Sequence, residues 1–176
     1  MSRATLVVAA LAAATFGLTG ASAAPAGAAE RPTKFEGTCK LTGDVSFSQP
    51  IGNVPSSPTF TDSGTGTCTG MLNDRPIHEL PVVNNVTGSG TLSCLAGQAH
   101  TADTLVFAHR SKLRIYTDSV FAGTEAVAHS RGAISGDSVE HVTFQADQAT
   151  LSACQAGTLR TAHYDLDAQT ITPLVG

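Results

Sequence analysis

The chain reads FEGTCKLTGDVSF over residues 35–47. Apolar or small residues alternate there with polar ones, and a period of two places successive side chains on opposite faces of a β-strand. Gly43-Asp44 falls inside the pattern and is typical of a bulge or tight turn. The stretch therefore predicts a strand that has one face in a core and the other in solvent.

Segments of the same kind recur along the rest of the chain, separated by Gly, Pro and Asn-Asp turn signals. They cover residues 65–72, 77–83, 86–95, 104–109, 112–118, 125–129, 138–146, 158–166 and 170–175. The three prolines of residues 49–58 predict a surface loop, because proline cannot donate a hydrogen bond to a sheet. Residues 147–157 are ambiguous: Asp147 could cap a helix that Gly157 ends, whereas the Thr and Cys between them suit a strand.

Short strands at this spacing indicate an all-β domain over residues 35–176. We expect an antiparallel sandwich or a closed barrel of roughly eight to ten strands. The composition, with 41% hydrophobic and 14% charged residues, suits a globular domain and not a disordered chain.

The first residues have the pattern of an export signal. Arg3 precedes an apolar run over residues 4–18, and Ala21-Ser22-Ala23 supplies the small residues of a cleavage site. We therefore expect residues 1–23 to be a signal peptide and residues 24–34 to be a flexible leader. The mature protein would then be secreted and extracellular, and the alanine content of the signal is typical of bacteria.

Charge argues against two classes of partner. Ten basic and fourteen acidic residues give a net charge of −4 with histidine neutral, and loss of the signal with Arg3 makes it −5. Nucleic acids and anionic membranes are bound through clustered positive charge, so we expect neither as a partner. No segment after the signal approaches the roughly 20 apolar residues of a membrane span. The expected partner is an extracellular small molecule, polymer or protein.

The four cysteines, Cys39, Cys68, Cys94 and Cys154, all follow the predicted signal and lack the C-x-x-C spacing of a zinc site. An even number in an exported chain predicts two disulfides. Three connectivities are open, and we favour Cys39–Cys68 with Cys94–Cys154 because Cys39 and Cys68 both follow Gly-Thr, a context suited to neighbouring strands. On chain-entropy grounds each bridge destabilises the unfolded state by about 4 kcal/mol.

Residues 62–65 read Asp-Ser-Gly-Thr, the four-residue signature of aspartic proteases. That chemistry needs two such loops, whose carboxyls share one proton. The chain has one copy, preceded by Thr61 where an apolar residue is usual, and a second would have to come from another molecule. We therefore interpret Asp62 as an Asx-turn residue in a polar loop.

Six histidines are many for this length, and imidazole is the commonest metal ligand. None has the spacing of a metal motif, and neither a nucleophile elbow nor a phosphate-binding glycine loop is present. Adjacent residues Glu140 and His141 would lie on opposite faces of a strand. We predict no metal and no cofactor, with His129 and His141 as first candidates if distant strands assemble a site.

Arg110, Lys112 and Arg114 form the sharpest charge pattern. On one extended strand their side chains would share a face and form a positive ladder in an acidic protein. Such a ladder could bind an anionic polymer or an acidic partner, and it could also protect a strand from aggregation. We predict these three residues as the ligand-binding candidates.

Three functions fit these observations. The first is a secreted, disulfide-stabilised, non-catalytic β-domain that binds an extracellular ligand or partner. One alternative is a small cofactor-free enzyme, either a hydrolase or a barrel isomerase or cyclase; another is a secreted protease inhibitor that uses residues 49–58 as a rigid insert. A ligand-sized interior with His or Asp side chains pointing into it would favour the enzyme.

Overall fold

A computed structural model describes residues 31–176, which form one compact unit. The predicted signal peptide, residues 1–23, lies outside the described residues, as does most of the predicted leader. Of that leader, Thr33 is buried and its backbone pairs with Gly176, and Lys34 is the first residue of a strand.

The described chain contains nine strands and one helix. In chain order they are β1 (Lys34–Ile51), β2 (Thr59–Leu72), β3 (Arg75–Leu92), β4 (Ala96–Phe107), β5 (Lys112–Ala122), β6 (Glu125–Gly132), β7 (Asp137–Phe144), α1 (Gln148–Ala156), β8 (Leu159–Thr170) and β9 (Leu174–Val175). The all-β prediction is confirmed.

Strands β1 to β8 form a closed antiparallel barrel. Each strand pairs with the next along the chain, and β8 pairs with β1 to complete the circle. The short β9 adds to the first residues of β1. Of the two predicted architectures, the structure is therefore the barrel, which leaves none of its eight main strands as a free edge.

The period-two pattern sorts side chains between the interior and the outer surface. One cluster of buried residues fills the end of the barrel that holds Phe35, Phe107, Leu113 and Leu174, and we call this the closed end. The other end, which we call the open end, holds a smaller cluster: Val45, Phe60, Leu92, Ala99 and Ala162, with Phe47, Phe121 and Phe144 packed against it.

Both favoured disulfides are present. Cys39 and Cys68 lie directly opposite each other on β1 and β2, as their matching sequence contexts predicted. Cys94, in the turn after β3, is bonded to Cys154 in the last turn of α1. The first bridge therefore lies within the sheet, and the second attaches the helix to the open end.

The ambiguous segment 147–157 is helical. The Asp147 side chain accepts a hydrogen bond from the Thr150 amide at 2.7 Å, and Gly157 ends the helix with a left-handed φ of 68°. No side chain of α1 is buried. The Cys94–Cys154 bridge is thus its principal attachment besides the chain connections at each end.

Several predicted strand limits were wrong. The break expected at Gly43-Asp44 does not occur, because β1 continues through it and Gly43 faces the interior. Residues 77–83 and 86–95 belong mainly to a single strand, β3, which accommodates a left-handed residue at Glu79 (φ 47°). The loop predicted over residues 49–58 is shorter in the structure than in the prediction. Strand β1 extends to Ile51, and Ser56 forms an isolated antiparallel β-bridge with Leu92.

Candidate functional site

The open end of the barrel contains a cavity of about 190 Å³. Phe47, Phe60, Phe121 and Phe144 contribute its aromatic walls, and Val, Leu, Ile and Ala side chains from most strands complete them. Its rim includes Thr150, Leu151 and Cys154 of α1, Ser93 and Cys94 of the β3–β4 turn, and Gly123 and Thr124 of the β5–β6 turn. The helix is therefore placed at the entrance.

Towards the closed end the cavity becomes polar. Its polar floor consists of side chains on six different strands: Asp62, Asn84, Asp103, Thr117, Glu140 and Tyr164. Asn84, Asp103, Thr117 and Glu140 are buried, and Asp62 is partly buried. Such groups are costly to remove from water unless they are hydrogen-bonded, so their concentration at one level indicates a functional site.

Four of the inward polar side chains form a hydrogen-bonded chain around the barrel. Asp103 Oδ2 is 2.8 Å from Thr117 Oγ1, which is 2.6 Å from Ser130 Oγ, and Ser130 is hydrogen-bonded to Glu140. These residues belong to β4, β5, β6 and β7, which are consecutive in the sheet. Because barrel strands are tilted, residues at different register positions reach the same level.

This hydrogen-bonded chain requires a proton on one of its acids. Three hydrogen bonds need three hydrogen atoms, and the hydroxyls of Thr117 and Ser130 supply two. With Thr117 donating to Asp103 and Ser130 donating to Glu140, no hydrogen remains for the contact between the two hydroxyls unless a carboxyl supplies it. Burial raises the pKa of Glu140 to about 7, although its hydrogen bond with Ser130 opposes the shift. Burial also raises the pKa of Asp103, but the hydroxyls of Thr101 and Thr117 counteract it. Glu140 is therefore partly protonated near neutral pH.

Asp62 and Tyr164 complete the floor from β2 and β8. Burial raises the pKa of Asp62 to about 6; the nearby Tyr164 hydroxyl opposes this shift, although its geometry falls short of a full hydrogen bond. Burial raises the pKa of Tyr164 well above its usual range, so its hydroxyl is neutral. The hydroxyl lies above Gly43 and Gly64, which leave it space because they have no side chains.

Four polar atoms of the floor have no hydrogen-bond partner within residues 31–176. They are Asp62 Oδ1, Asn84 Oδ1, Asp103 Oδ1 and Tyr164 Oη. Each belongs to a residue that lines the cavity. Buried polar atoms are nearly always satisfied, so four exceptions at one level of one cavity are the strongest indication of a binding site in the described chain.

The predicted role of Asp62 as a turn residue was wrong. The residue lies within β2, near its start, and its side chain lines the cavity. Local sequence patterns did not indicate Asn84, Asp103, Glu140 or Tyr164 as site residues. A usable signal was present, because Asp103 has the same strand parity as the buried residues Leu105 and Phe107. An acidic residue on the otherwise apolar, buried face of a strand indicates a polar site in the interior.

The three basic candidates do not form one ladder. Lys112 and Arg114 are exposed on β5, whereas Arg110 lies in the preceding turn with a left-handed φ of 65°. This turn is at the closed end, away from the cavity entrance. A chain reversal before β5 therefore separates Arg110 from the strand, and an anion-binding role for Arg110, Lys112 and Arg114 stays a prediction.

The histidines that have acidic neighbours lie on the outer surface. His100 Nδ1 is 2.5 Å from Asp118, and His163 Nδ1 is 2.9 Å from Asp44. His129 and His141 are more loosely paired, at 4.0 Å from Asp137 and 3.8 Å from Glu125. Glu140 and His141 face opposite sides of β7, as predicted. Within residues 31–176 no three potential ligands are grouped for a metal ion.

Comparison with known proteins gives no family assignment. No family, curated protein sequence or solved structure matches the chain. Across the described residues, no helix combines the length and apolar character that a membrane crossing requires. The cavity and its polar floor are consequently the basis for a functional proposal.

Proposed function

We propose that this protein is secreted and binds a small, largely apolar molecule inside the barrel. The cavity of about 190 Å³ carries the proposal, because it combines aromatic walls with a few converging polar groups. An apolar cavity of about 150 Å³ is enough to take up benzene. This cavity therefore has room for a ring system with short substituents.

Export is supported by two features of the chain. The sequence of residues 1–23 has the pattern of a signal peptide. All four cysteines form disulfides, which persist in oxidising compartments and are rare where thiols are kept reduced. Extracellular ligand capture is consistent with both.

The position of α1 suggests the route of ligand entry. The helix has no buried side chain, and its residues Thr150, Leu151 and Cys154 line the rim. A helix with so little packing opens at low cost in free energy. The Cys94–Cys154 bridge limits that opening, so α1 serves as a tethered lid.

A cofactor-free enzyme is the second candidate, because carboxyls point into the cavity. Glu140 has a pKa of about 7, a value suited to general acid–base catalysis at neutral pH. Asp103 would accept a proton at Oδ1 from a substrate carbon, while the Thr117 hydroxyl donates a hydrogen bond to its Oδ2. Return of a proton to another substrate carbon completes an isomerisation in which no co-reactant is consumed.

The protease-inhibitor alternative gains no comparable support. Such a function requires a projecting loop, and the loop after β1 folds back onto the barrel. Pro58 is fully buried, and Ser56 pairs with Leu92 through two backbone hydrogen bonds. The tip of the loop, residues 53–55, is exposed.

Fluorescence titration with a neutral naphthyl alcohol tests the binding proposal. The chain contains no tryptophan, so the probe signal is free of indole emission. Ala128 is buried and lines the cavity, and Ala128→Phe should fill that space and abolish saturable binding. Ala102→Phe places the same ring on the exposed face of β4 and is the matched control. Equal binding by the wild type and a folded Ala128→Phe variant would rule the cavity out.

A further inference from the structure

We infer that the ligand carries an ammonium group, and that this group binds at the polar floor against Asp62, Asn84 and Asp103. This inference rests on the proposed binding function and names the chemical class of the ligand. The apolar body of the ligand would contact the phenylalanine walls, and the cationic nitrogen would occupy the innermost position.

The unpartnered atoms of the floor are mainly hydrogen-bond acceptors. Asp62 Oδ1, Asn84 Oδ1 and Asp103 Oδ1 all lack partners within residues 31–176, and Asn84 and Asp103 are more than nine-tenths buried. Carboxylate oxygens accept hydrogen bonds, whereas an ammonium group has several N–H donors and no acceptor. One ammonium can therefore satisfy more than one of these atoms at once.

The charge of the site also favours a cation. Three acidic side chains, Asp62, Asp103 and Glu140, line the cavity, and no basic residue is found among the described residues that line it. Thr117 donates a hydrogen bond to Asp103 Oδ2, and Asp103 Oδ1 is unpartnered. Charge-assisted hydrogen bonds are about twice as strong as neutral ones, so an ammonium at Oδ1 offsets the burial of the carboxylate.

The aromatic walls distinguish an organic amine from a bare ion. Phe121 and Phe144 pack with their ring centroids 5.7 Å apart, and Phe47 and Phe60 form a second pair at 6.2 Å. A metal ion would make no use of these surfaces. A molecule with an apolar ring at one end and an ammonium at the other matches both parts of the cavity.

Three probes with one naphthyl ring and different head groups test the inference. They are 2-naphthylmethylamine, 2-naphthylmethanol and 2-naphthoic acid, titrated at pH 7.5 by fluorescence. We expect the amine to bind at least about ten times more tightly than the alcohol, and naphthoate to bind most weakly. Equal affinity for amine and alcohol, or tightest binding of naphthoate, would overturn the inference while leaving the cavity proposal intact.

Substitution of the floor residues gives the second arm. Asp103→Asn and Asp62→Asn should each reduce the affinity for the amine about tenfold and change that for the alcohol by less than threefold. Asp165→Asn, on the exposed face of β8, is the control and should change neither. Unchanged amine binding in both folded floor variants would refute the assignment. Failure of all three probes to bind the wild type would remove the proposed function, and the inference with it.

Discussion

Ser130 and Glu140 are hydrogen-bonded to each other inside the barrel, where β6 and β7 run side by side. Ser130 is also 2.6 Å from Thr117, so Glu140 is connected through two hydroxyls to Asp103. Neither acid is balanced by a basic residue among those described as lining the cavity. The interior therefore contains acidic groups with no basic counterpart among these lining residues, and their protonation can be tested.

The first prediction concerns Glu140 and pH. A carboxyl whose folded-state pKa is raised to about 7 favours folding below its unfolded value near 4.5, and this contribution is lost as pH rises through 7. Wild-type stability should therefore fall between pH 5 and pH 8. Glu140→Gln should lose the share of that dependence that Glu140 contributes and be more stable than wild type at pH 8 by about 2 kcal/mol. Asp62 and Asp103, whose pKa values burial also raises, should retain the rest.

Urea unfolding at several pH values measures this effect. Glu36→Gln, an exposed change on β1, is the control and should retain the wild-type slope. The same pH dependence in wild type and Glu140→Gln would show that Glu140 is not the group that holds the proton.

The second prediction concerns the tethered lid. Replacing Cys94 and Cys154 together by alanine should increase the rate of probe release several-fold, because α1 has no buried side chain to hold it at the entrance. Replacing Cys39 and Cys68 should lower stability by about 3–4 kcal/mol on chain-entropy grounds and leave the release rate nearly unchanged. Stopped-flow displacement measures release, and equal rates in the two double variants would contradict a gating role for α1.

The third prediction concerns the space above Gly64. A Cβ atom built there would lie 2.5 Å from Tyr164 Oη, so Gly64→Ala should destabilise the barrel by about 1–3 kcal/mol. Tyr164→Phe removes the unpartnered hydroxyl and should recover a large part of that loss in the double variant. A double-mutant cycle from denaturant unfolding gives the coupling. Additive effects of the two substitutions would show that the strain in Gly64→Ala does not come from contact with the Tyr164 hydroxyl.

The fourth prediction concerns Arg110, Lys112 and Arg114. Changing all three to glutamine should lower the salt concentration at which the protein elutes from an anionic matrix, with little change in thermal stability. Lys40→Gln, which removes an exposed charge paired with Asp167 on the barrel wall, is a single-site control. Unchanged elution of the triple variant would end the anion-binding hypothesis.

Much of the fold could be predicted because it follows from local patterns in the sequence. The alternation over residues 35–47 predicted which side chains face inward, and matching sequence around Cys39 and Cys68 predicted their pairing. Closure of the barrel was not predictable in this way. It depends on pairing between β1 and β8, which are more than a hundred residues apart, and local periodicity contains no information about that contact.

The candidate site was largely missed for a related reason. Asp103 and Glu140 are 37 positions apart, and they reach one level only through strand tilt and the register of the intervening strands. Arg110, Lys112 and Arg114, by contrast, form a pattern that is visible in the sequence because they lie close together along the chain. A turn before β5 separates Arg110 from the other two. The alternation of residue types did not predict where that turn ends and the strand begins.

Intermolecular NOE measurement on the complex with 2-naphthylmethylamine shows directly whether the ligand lies inside the barrel. We expect contacts from the naphthyl protons to the rings of Phe121 and Phe144, and from the ligand methylene to the side chains of Asn84 and Thr117. Contacts confined to Tyr116, Val120 and Val127, which are exposed on the outer surface, would show instead that the molecule binds outside the barrel and would contradict the account.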